Sequence, residues 1–486
     1  MTTTAGSSIL PFNAEKINDK YLVTNMMGCW DALNEKDFRQ LHSLRVLEGG
    51  PLFNRLLERG LIVDADNIRR VIDGYRAVNA NLFTDTSLHI AVVTKRCNLR
   101  CHYCHARGGS FSEDMSIETA GRVLQYLFDV RNNSVTLEFQ GGEPLLNWPV
   151  VKFLTEHARK FNTLGKGLNI VLVTNLLLMD DEKMRFLADH DVDVCVSLDG
   201  PADIHDKNKT YDDGRGTHAE LVEKIEHFSK QSGSKIHMLP TITRHSLAHP
   251  ERIVDEYLRF GQGEIALRPV NRIGYACSCW EDIGYTAEEF NVFYTKAMAY
   301  IMKLNTSGTY LSERTARTIL TKVLLKRDPG LVDMMNPCGA GRAVMAYAPD
   351  GGCYPTDEAR MLGDNMFRLG NVMDGSYDNM LNNENLFYLL SAGCSDLWHY
   401  RSVYSPWSGY DPVVNYAVEG NVIPKGSSRL QQILKHQFKM VFSYLLGDNK
   451  YAEVFQRWTQ GVIASEAKQS LITMDKGVSY EKENKK

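Results

Sequence analysis

The chain has 486 residues, 43% of them hydrophobic and 23% charged, with a net charge of -4. That mixture is typical of a globular protein of about three domains, and the modest charge excludes a surface built for nucleic acid or anionic membrane. No apolar run reaches the roughly 18 residues of a membrane span. The N-terminal MTTTAGSSILPFNAEK has neither a basic start nor an apolar core, so a cytoplasmic location is expected and the ten cysteines read as metal ligands or buried thiols.

Residues 1–83 read as a small separate unit, with a strand at Tyr21–Thr24, a turn near Gly28, Trp30–Leu33, and helical runs at Asn34–Leu44 and Pro51–Gly60. From 84 to 285, short apolar runs alternate with amphipathic stretches, the pattern of parallel strands with helical crossovers. The expected strands are Leu88–Thr94, Val135–Gln140, Asn169–Asn175, Asp193–Leu198, Ile236–Thr243 and Glu264–Val270. Helices are expected at Ser116–Arg131, behind a Ser116 N-cap, and at Pro250–Gly261. Six βα units predict an incomplete α/β barrel, whose chemistry collects at the carboxyl ends of its strands. Two bridging helices, Thr286–Asn305 and Ser312–Lys326, fill 286–330. An irregular Gly-, Asn-, Tyr- and Pro-rich region covers 331–430, and helices from Leu430 to Trp458 with a polar tail from about Ser465 complete 431–486.

The chemistry-bearing motifs fall at those strand ends. Cys97, Cys101 and Cys104, spaced C-x3-C-x2-C, follow the first strand. Three thiolates hold three corners of a four-iron cluster and leave one iron open to a ligand. A partial zinc site is the competing reading, although no fourth Cys or His completes a C-x2-C pair outside the tight loop that holds His102 and His105. Gly141-Gly142-Glu143-Pro144 follows the second strand, Asn175 ends the third, Ser197-Leu198-Asp199-Gly200-Pro201 follows the fourth, and Arg268 closes the sixth. Gly141, Gly142 and Glu143 are assigned to the ammonium of a bound amino-acid moiety, Asn175, Ser197 and Asp199 to ribose or carboxylate, Tyr103 to adenine, and Arg268 is also counted as cofactor-binding. Each has a bland alternative: a simple turn for the glycines, loop caps for the polar strand ends, an ion-pair partner for Arg268.

The stretches Ser87–Cys104, Glu138–Asn147, Ser197–Pro201, Asp357–Leu362 and Asp411–Ala417 together resemble a radical SAM enzyme of the SPASM peptide-maturase type, most nearly the B-type maturase of the His-Xaa-Ser peptide system. The resemblance spans roughly residues 10 to 425. It implies a partial (β/α)6 TIM-like radical SAM barrel, an N-terminal winged-helix-like domain that grips a leader peptide, and a C-terminal SPASM-like domain. A small lid packed on the barrel is the alternative for the N-terminal unit. The implied cofactors are one 4Fe-4S cluster and S-adenosylmethionine, cleaved to methionine and a 5'-deoxyadenosyl radical. The implied partners are a precursor peptide and an electron donor such as flavodoxin or ferredoxin, with no nucleic acid and no membrane. The implied reaction crosslinks or otherwise oxidises side chains of a ribosomally made peptide. Two other readings are activation of a catalytic residue in a folded protein, as in sulfatase maturation, and a non-catalytic leader-binding partner of another maturase.

The sequence departs from that family downstream. Only Cys338, Cys353 and Cys394 occupy the SPASM region, with Cys277 and Cys279 upstream. Two auxiliary clusters at four thiolates each need about eight, so at most one is expected, from Cys338, Cys353, Cys394 and a further ligand; free buried thiols are the simpler reading. Asp357 is the expected proton acceptor by resemblance, or else a structural aspartate.

Overall fold

The computed structural model describes residues 2–3, 6–105, 112–232, 236–393 and 397–460. Its centre is an eight-stranded sheet. Five strands run parallel in sequence order: β1 (Leu88–Thr94), β2 (Ser134–Gly141), β3 (Gly167–Thr174), β4 (Val192–Ser197) and β5 (Ile236–Leu239). In β1, every residue after Leu88 is buried, as a strand covered on both faces requires. In β2 to β4 the fully buried residues alternate with half-buried ones, so one face packs on helices while the other lines a polar interior. Ser116 caps the helix Ile117–Asp129 as expected, its side chain accepting from Thr119 N–H. That helix lies beside Trp148–Phe161 on the outer layer.

Proline divides the expected fifth and sixth strands. Pro240 has no N–H to give a ladder, so β5 stops at Leu239, and Thr241–Ile242 pairs instead with Arg268–Pro269 in parallel. Upstream of Pro269, Glu264–Ile265 pairs with Ser312–Glu313. The sixth unit therefore joins the barrel through two short ladders rather than one long strand.

The 331–430 region is less irregular than its composition suggests. There β6 (Val344–Tyr347) adds in parallel to β1, and β7 (Gly352–Tyr354) and β8 (Gly370–Asn371) follow antiparallel. These strands extend the barrel sheet past its first strand and cover the edge of β1. The bridging helices are Ala287–Thr306 and Arg314–Leu324.

The N-terminal unit has a three-stranded meander, Phe12–Ile17, Lys20–Asn25 and Trp30–Leu33, followed by helices Glu35–His42, Pro51–Arg59 and Ile68–Val78. Its own core includes Val23, Leu33, Leu41, Phe53 and Leu56. It docks on the C-terminal helix Arg429–Leu445, where Trp30 meets Phe442 edge-on and Glu15 faces Lys439 at 3.2 Å. Among the described residues, no helix is long and apolar enough to cross a membrane. The expected polar tail from about Ser465 and Cys394 lie outside the described residues.

Candidate active site

The loop after β1 is held from two sides. Arg100–Cys101 forms a short antiparallel pair with Lys209–Thr210, and His102 N–H donates to Asn208 O at 2.9 Å. On the other side, Tyr275 N–H donates to Cys104 O at 2.9 Å, and Leu99 anchors the loop in the core. Gly274 adopts φ +61°, and a Cβ there would fall 1.8 Å from His105 O, so glycine is obligatory at this crossing.

Cys97, Cys101 and Cys104 are all half-buried. Burial, with the charge of Cys101 second, pushes the Cys97 thiol up to about 12. Burial likewise raises Cys101 to about 11, against the pull of Lys209. Three desolvated thiols packed in one loop repel one another as thiolates and call for a shared cationic partner. Among the described residues, no three His, Cys, Asp or Glu side chains converge on a single metal ion, which speaks against the zinc reading. A four-iron cluster asks for something else, one thiolate per iron around a larger body, and these residues fit it.

Lys209 is the residue the sequence reading missed. It is 5% exposed, its Nζ 3.7 Å from Cys101 Sγ and 5.2 Å over the Tyr103 ring. Despite burial, Cys101, Tyr103 and Asp199 hold it well above the ordinary lysine range. Its only sequence signal is the Asn208-Lys209-Thr210 step closing the helix Ala202–Asn208.

Asp199 is fully buried, accepting from Tyr103 Oη at 3.0 Å, Thr241 N–H at 3.0 Å and Asn208 Nδ2 at 3.2 Å. With those donors its carboxylate pins Tyr103 rather than facing a ligand, and the Tyr103 ring expected against adenine has Lys209 over it. Glu143 is equally enclosed. Its Oε1 accepts from Thr174 Oγ1 at 2.7 Å and Leu145 N–H at 3.0 Å, and its Oε2 from Asn175 N–H at 2.8 Å. Asn175 Nδ2 in turn donates to Asn98 Oδ1 at 2.8 Å, tying the end of β3 to the cysteine loop.

The two glycines serve packing. A Cβ on Gly142 would lie 2.2 Å from Arg96 O and one on Gly141 2.4 Å from Thr94 O. Gly142 N–H already donates to Thr94 O and Glu143 N–H to Arg96 O. With the Gly142 N–H spent on Thr94 O, the expected contact of these glycines with an ammonium would fall to their carbonyl oxygens, which accept. Ser197, half-buried at the end of β4, keeps a hydroxyl with no protein partner among the described residues.

A second group lies across the mouth. The charge of Arg268, exposed on its short strand, acts on His105, Glu138, Cys195, Asp333 and Glu358, and Asp357 acts on His105, Glu138 and Glu358. Arg268 thus belongs with Asp357 rather than with Glu143 and the cysteines. Asp357 is buried and accepts from Arg360 Nε at 2.7 Å. Burial, then Asp357 and Asp333, push Glu358 up to about 7, a proton acceptor near neutrality that the sequence reading passed over.

Among the described residues, Cys338 and Cys353 have different surroundings. Cys338 is buried among Asp411, Asp333 and Glu358. Cys353 is buried on β7 beside Gly351 O, with Arg368, Asp350 and Asp374 as its charged neighbours. Cys394, the third member of the expected set, lies outside the described residues.

The family model of the radical SAM superfamily matches residues 91–257. The chain carries a radical SAM domain. It is 26% identical over 324 residues to the mycofactocin maturase MftC of Mycobacterium ulcerans, covering 64% of this chain and 79% of that protein. An uncharacterized protein of Methanocaldococcus jannaschii is 27% identical over 177 residues, and there the match spans 36% of this chain and only 60% of the relative. The fold is similar to that of native anSMEcpe with bound AdoMet and Cp18Cys peptide, with a TM-score of 0.65, 18% identity, and coverage of 76% of this chain and 99% of that one. It is also similar to Streptococcus suis SuiB bound to precursor peptide SuiA, with a TM-score of 0.54, 15% identity, and coverage of 86% and 98%. The cofactors of a radical SAM domain are a 4Fe-4S cluster and S-adenosylmethionine.

Proposed function

We propose that this protein is a radical SAM maturase that modifies side chains of a ribosomally made precursor peptide, by crosslinking or a related oxidation, and that it is of the His-Xaa-Ser B type. The observation that carries the reading is the convergence of three thiols, Lys209 and the enclosed Glu143 at one end of a parallel barrel. Cys97, Cys101 and Cys104 would hold the cluster, and Glu143, Asn175 and Ser197 would line the S-adenosylmethionine side. When bound, that pair supplies reductive cleavage to methionine and a 5'-deoxyadenosyl radical. The chain's own residues do the rest. Lys209 offsets thiolate charge at Cys101, Asp199 and Tyr103 hold the loop wall, and burial around them excludes water. Across the mouth, Asp357 and Glu358 would take the proton released when a substrate radical is oxidised, its electron passing to an external carrier such as flavodoxin or ferredoxin. The N-terminal meander would add a leader strand to its edge. Support comes from relatives named as maturases and from similar folds solved with peptides.

The test is anaerobic reconstitution followed by measurement of 5'-deoxyadenosine with reductant, with and without the peptide encoded nearest the gene. Formation of 5'-deoxyadenosine with a mass change on the peptide supports the reading. Cluster-loaded protein that makes none under either condition sinks it.

A further inference from the structure

A cavity of about 400 Å³ lies outside the cysteine site, between the segment after the sixth barrel unit, the helix Pro412–Glu419 and the start of Arg429–Leu445. Its volume is that of a site for a small ligand or one or two residues of a peptide.

Its positive side is built from four features. The guanidinium carbons of Arg272 and Arg429 lie 5.7 and 5.2 Å from the Trp280 ring centroid, so one indole serves two cations. Arg429 also lies 5.2 Å from the Tyr285 ring. Two long helices, Ala287–Thr306 and Arg429–Leu445, begin at the cavity wall with Thr286 and Ser428 as their caps. Their N-termini add positive potential at the same place.

That charge is left unanswered. Arg429 Nη2 donates to Val270 O, but its Nη1 is buried with no partner. Among the described residues, no carboxylate pairs with Arg272 or Arg429, while arginines elsewhere in the chain do find carboxylates, such as Arg314 with Glu264 and Arg252 with Asp203. Burial pulls the Arg429 guanidinium below its ordinary value. A desolvated guanidinium without an anion is costly. Asp411, Glu288 and Glu419 also line the cavity, but among the described residues none of them forms an ion pair with either guanidinium.

A second orphan sets the ligand class. Asn415, 5% exposed and also lining the cavity, spends its Nδ2 on Asn421 O, while its Oδ1 is buried with no partner. That acceptor requires a donor on the ligand, which a sulfate or chloride ion lacks and a peptide N–H supplies.

We propose that this cavity is a receptor for a peptide carboxylate, clamped by Arg272 and Arg429 against Trp280 with a neighbouring amide N–H on Asn415 Oδ1. The carboxylate comes from an acidic side chain or from a chain terminus. Lying outside the cysteine site, the cavity would hold the substrate at a point away from the residue being modified. The inference rests on the peptide-maturase reading only in naming the substrate as the source of the carboxylate.

The experiment uses the full-length reconstituted protein and four probes: acetyl-Gly-Glu-amide, acetyl-Gly-Gln-amide, acetyl-Gly-Gly with a free carboxylate, and inorganic phosphate. Binding is read by tryptophan fluorescence and saturation-transfer NMR. The glutamate peptide, the free-terminus peptide or both should bind about tenfold or more tightly than the glutamine peptide, and which of them does so identifies the source. R429Q and R272Q should each weaken that binding by about tenfold or more. R272Q keeps the test sharp if R429Q fails to fold, because Arg272 makes no hydrogen bond to the protein among the described residues. Failure of both carboxylate peptides to bind more tightly than the glutamine peptide, binding of phosphate alone, no binding of any probe, or unchanged affinity in folded R272Q overturns the proposal. Assaying 5'-deoxyadenosine in the same samples keeps its failure separate from failure of the cleavage reading.

Discussion

The loop after β1 and the segment from 331 to 430 both carry cysteines at the barrel mouth, yet they use opposite electrostatics. In the first, three half-buried thiols meet a buried lysine, so negative charge on sulfur is anticipated and partly met. In the second, Cys338 and Cys353 are buried apart, and three acids, Asp333, Glu358 and Asp411, crowd together instead. Like charges brought together raise one another's pKa, so on the proposed reading this side would handle the substrate's proton while the cysteine loop would hold the cofactor.

The strongest way to break this comparison is to exchange the cysteines. Cys101→Ala should abolish 5'-deoxyadenosine formation to background and drop iron from about four per chain toward zero. Cys338→Ala and Cys353→Ala should each leave the iron count at about four, measured by colorimetric iron assay and Mössbauer spectroscopy. A wild-type count of about eight that falls to about four in either variant would mean that the downstream segment also holds a cluster.

Lys209 sharpens the same contrast. Lys209→Met removes the one cation beside Cys101, Tyr103 and Asp199, and a buried charge set stripped of its partner loses about 3 kcal/mol or more. Chemical denaturation should show that loss. A change within about 0.5 kcal/mol, the range of an ordinary surface substitution, would refute the role given to Lys209.

The acid cluster predicts a pH signature. Glu358 is raised in the folded state to about 7, so its contribution is complete below its unfolded value and is lost as pH rises from about 4.5 through 7. Stability should fall across that window by roughly 3 kcal/mol at most, and E358Q should flatten the slope.

The smallest effect concerns the entry to β1. Asp85 accepts from Arg131 N, Nε and Nη2 at 2.7, 3.0 and 2.7 Å, and Arg131 holds its carboxyl below the ordinary value. D85N should cost about 1–2 kcal/mol at neutral pH, since the arginine itself is largely exposed. The wild-type advantage should persist above about pH 4 and disappear as the pH falls further, which thermal melts across pH will show.

By itself the sequence determined the parallel barrel strands, the helix capped by Ser116, and the three-cysteine loop, because each rests on local chemistry: apolar runs, a capping side chain, close thiol spacing. It also marked Gly142 and Glu143, though not the close backbone crossing that requires glycine there. Tertiary structure alone decided the rest. Lys209 reaches Cys101 only through a two-residue ladder between segments about a hundred positions apart, and no local pattern announces such a pairing. Pro240 and Pro269 redirected hydrogen bonds that periodicity had assigned to single strands. The pairing of β6 with β1 and the meeting of Arg272, Arg429 and Asn415 around one cavity arise from packing between distant elements. Spacing in sequence reports which groups a loop carries, while burial and long-range pairing decide which of their charges are left for a ligand.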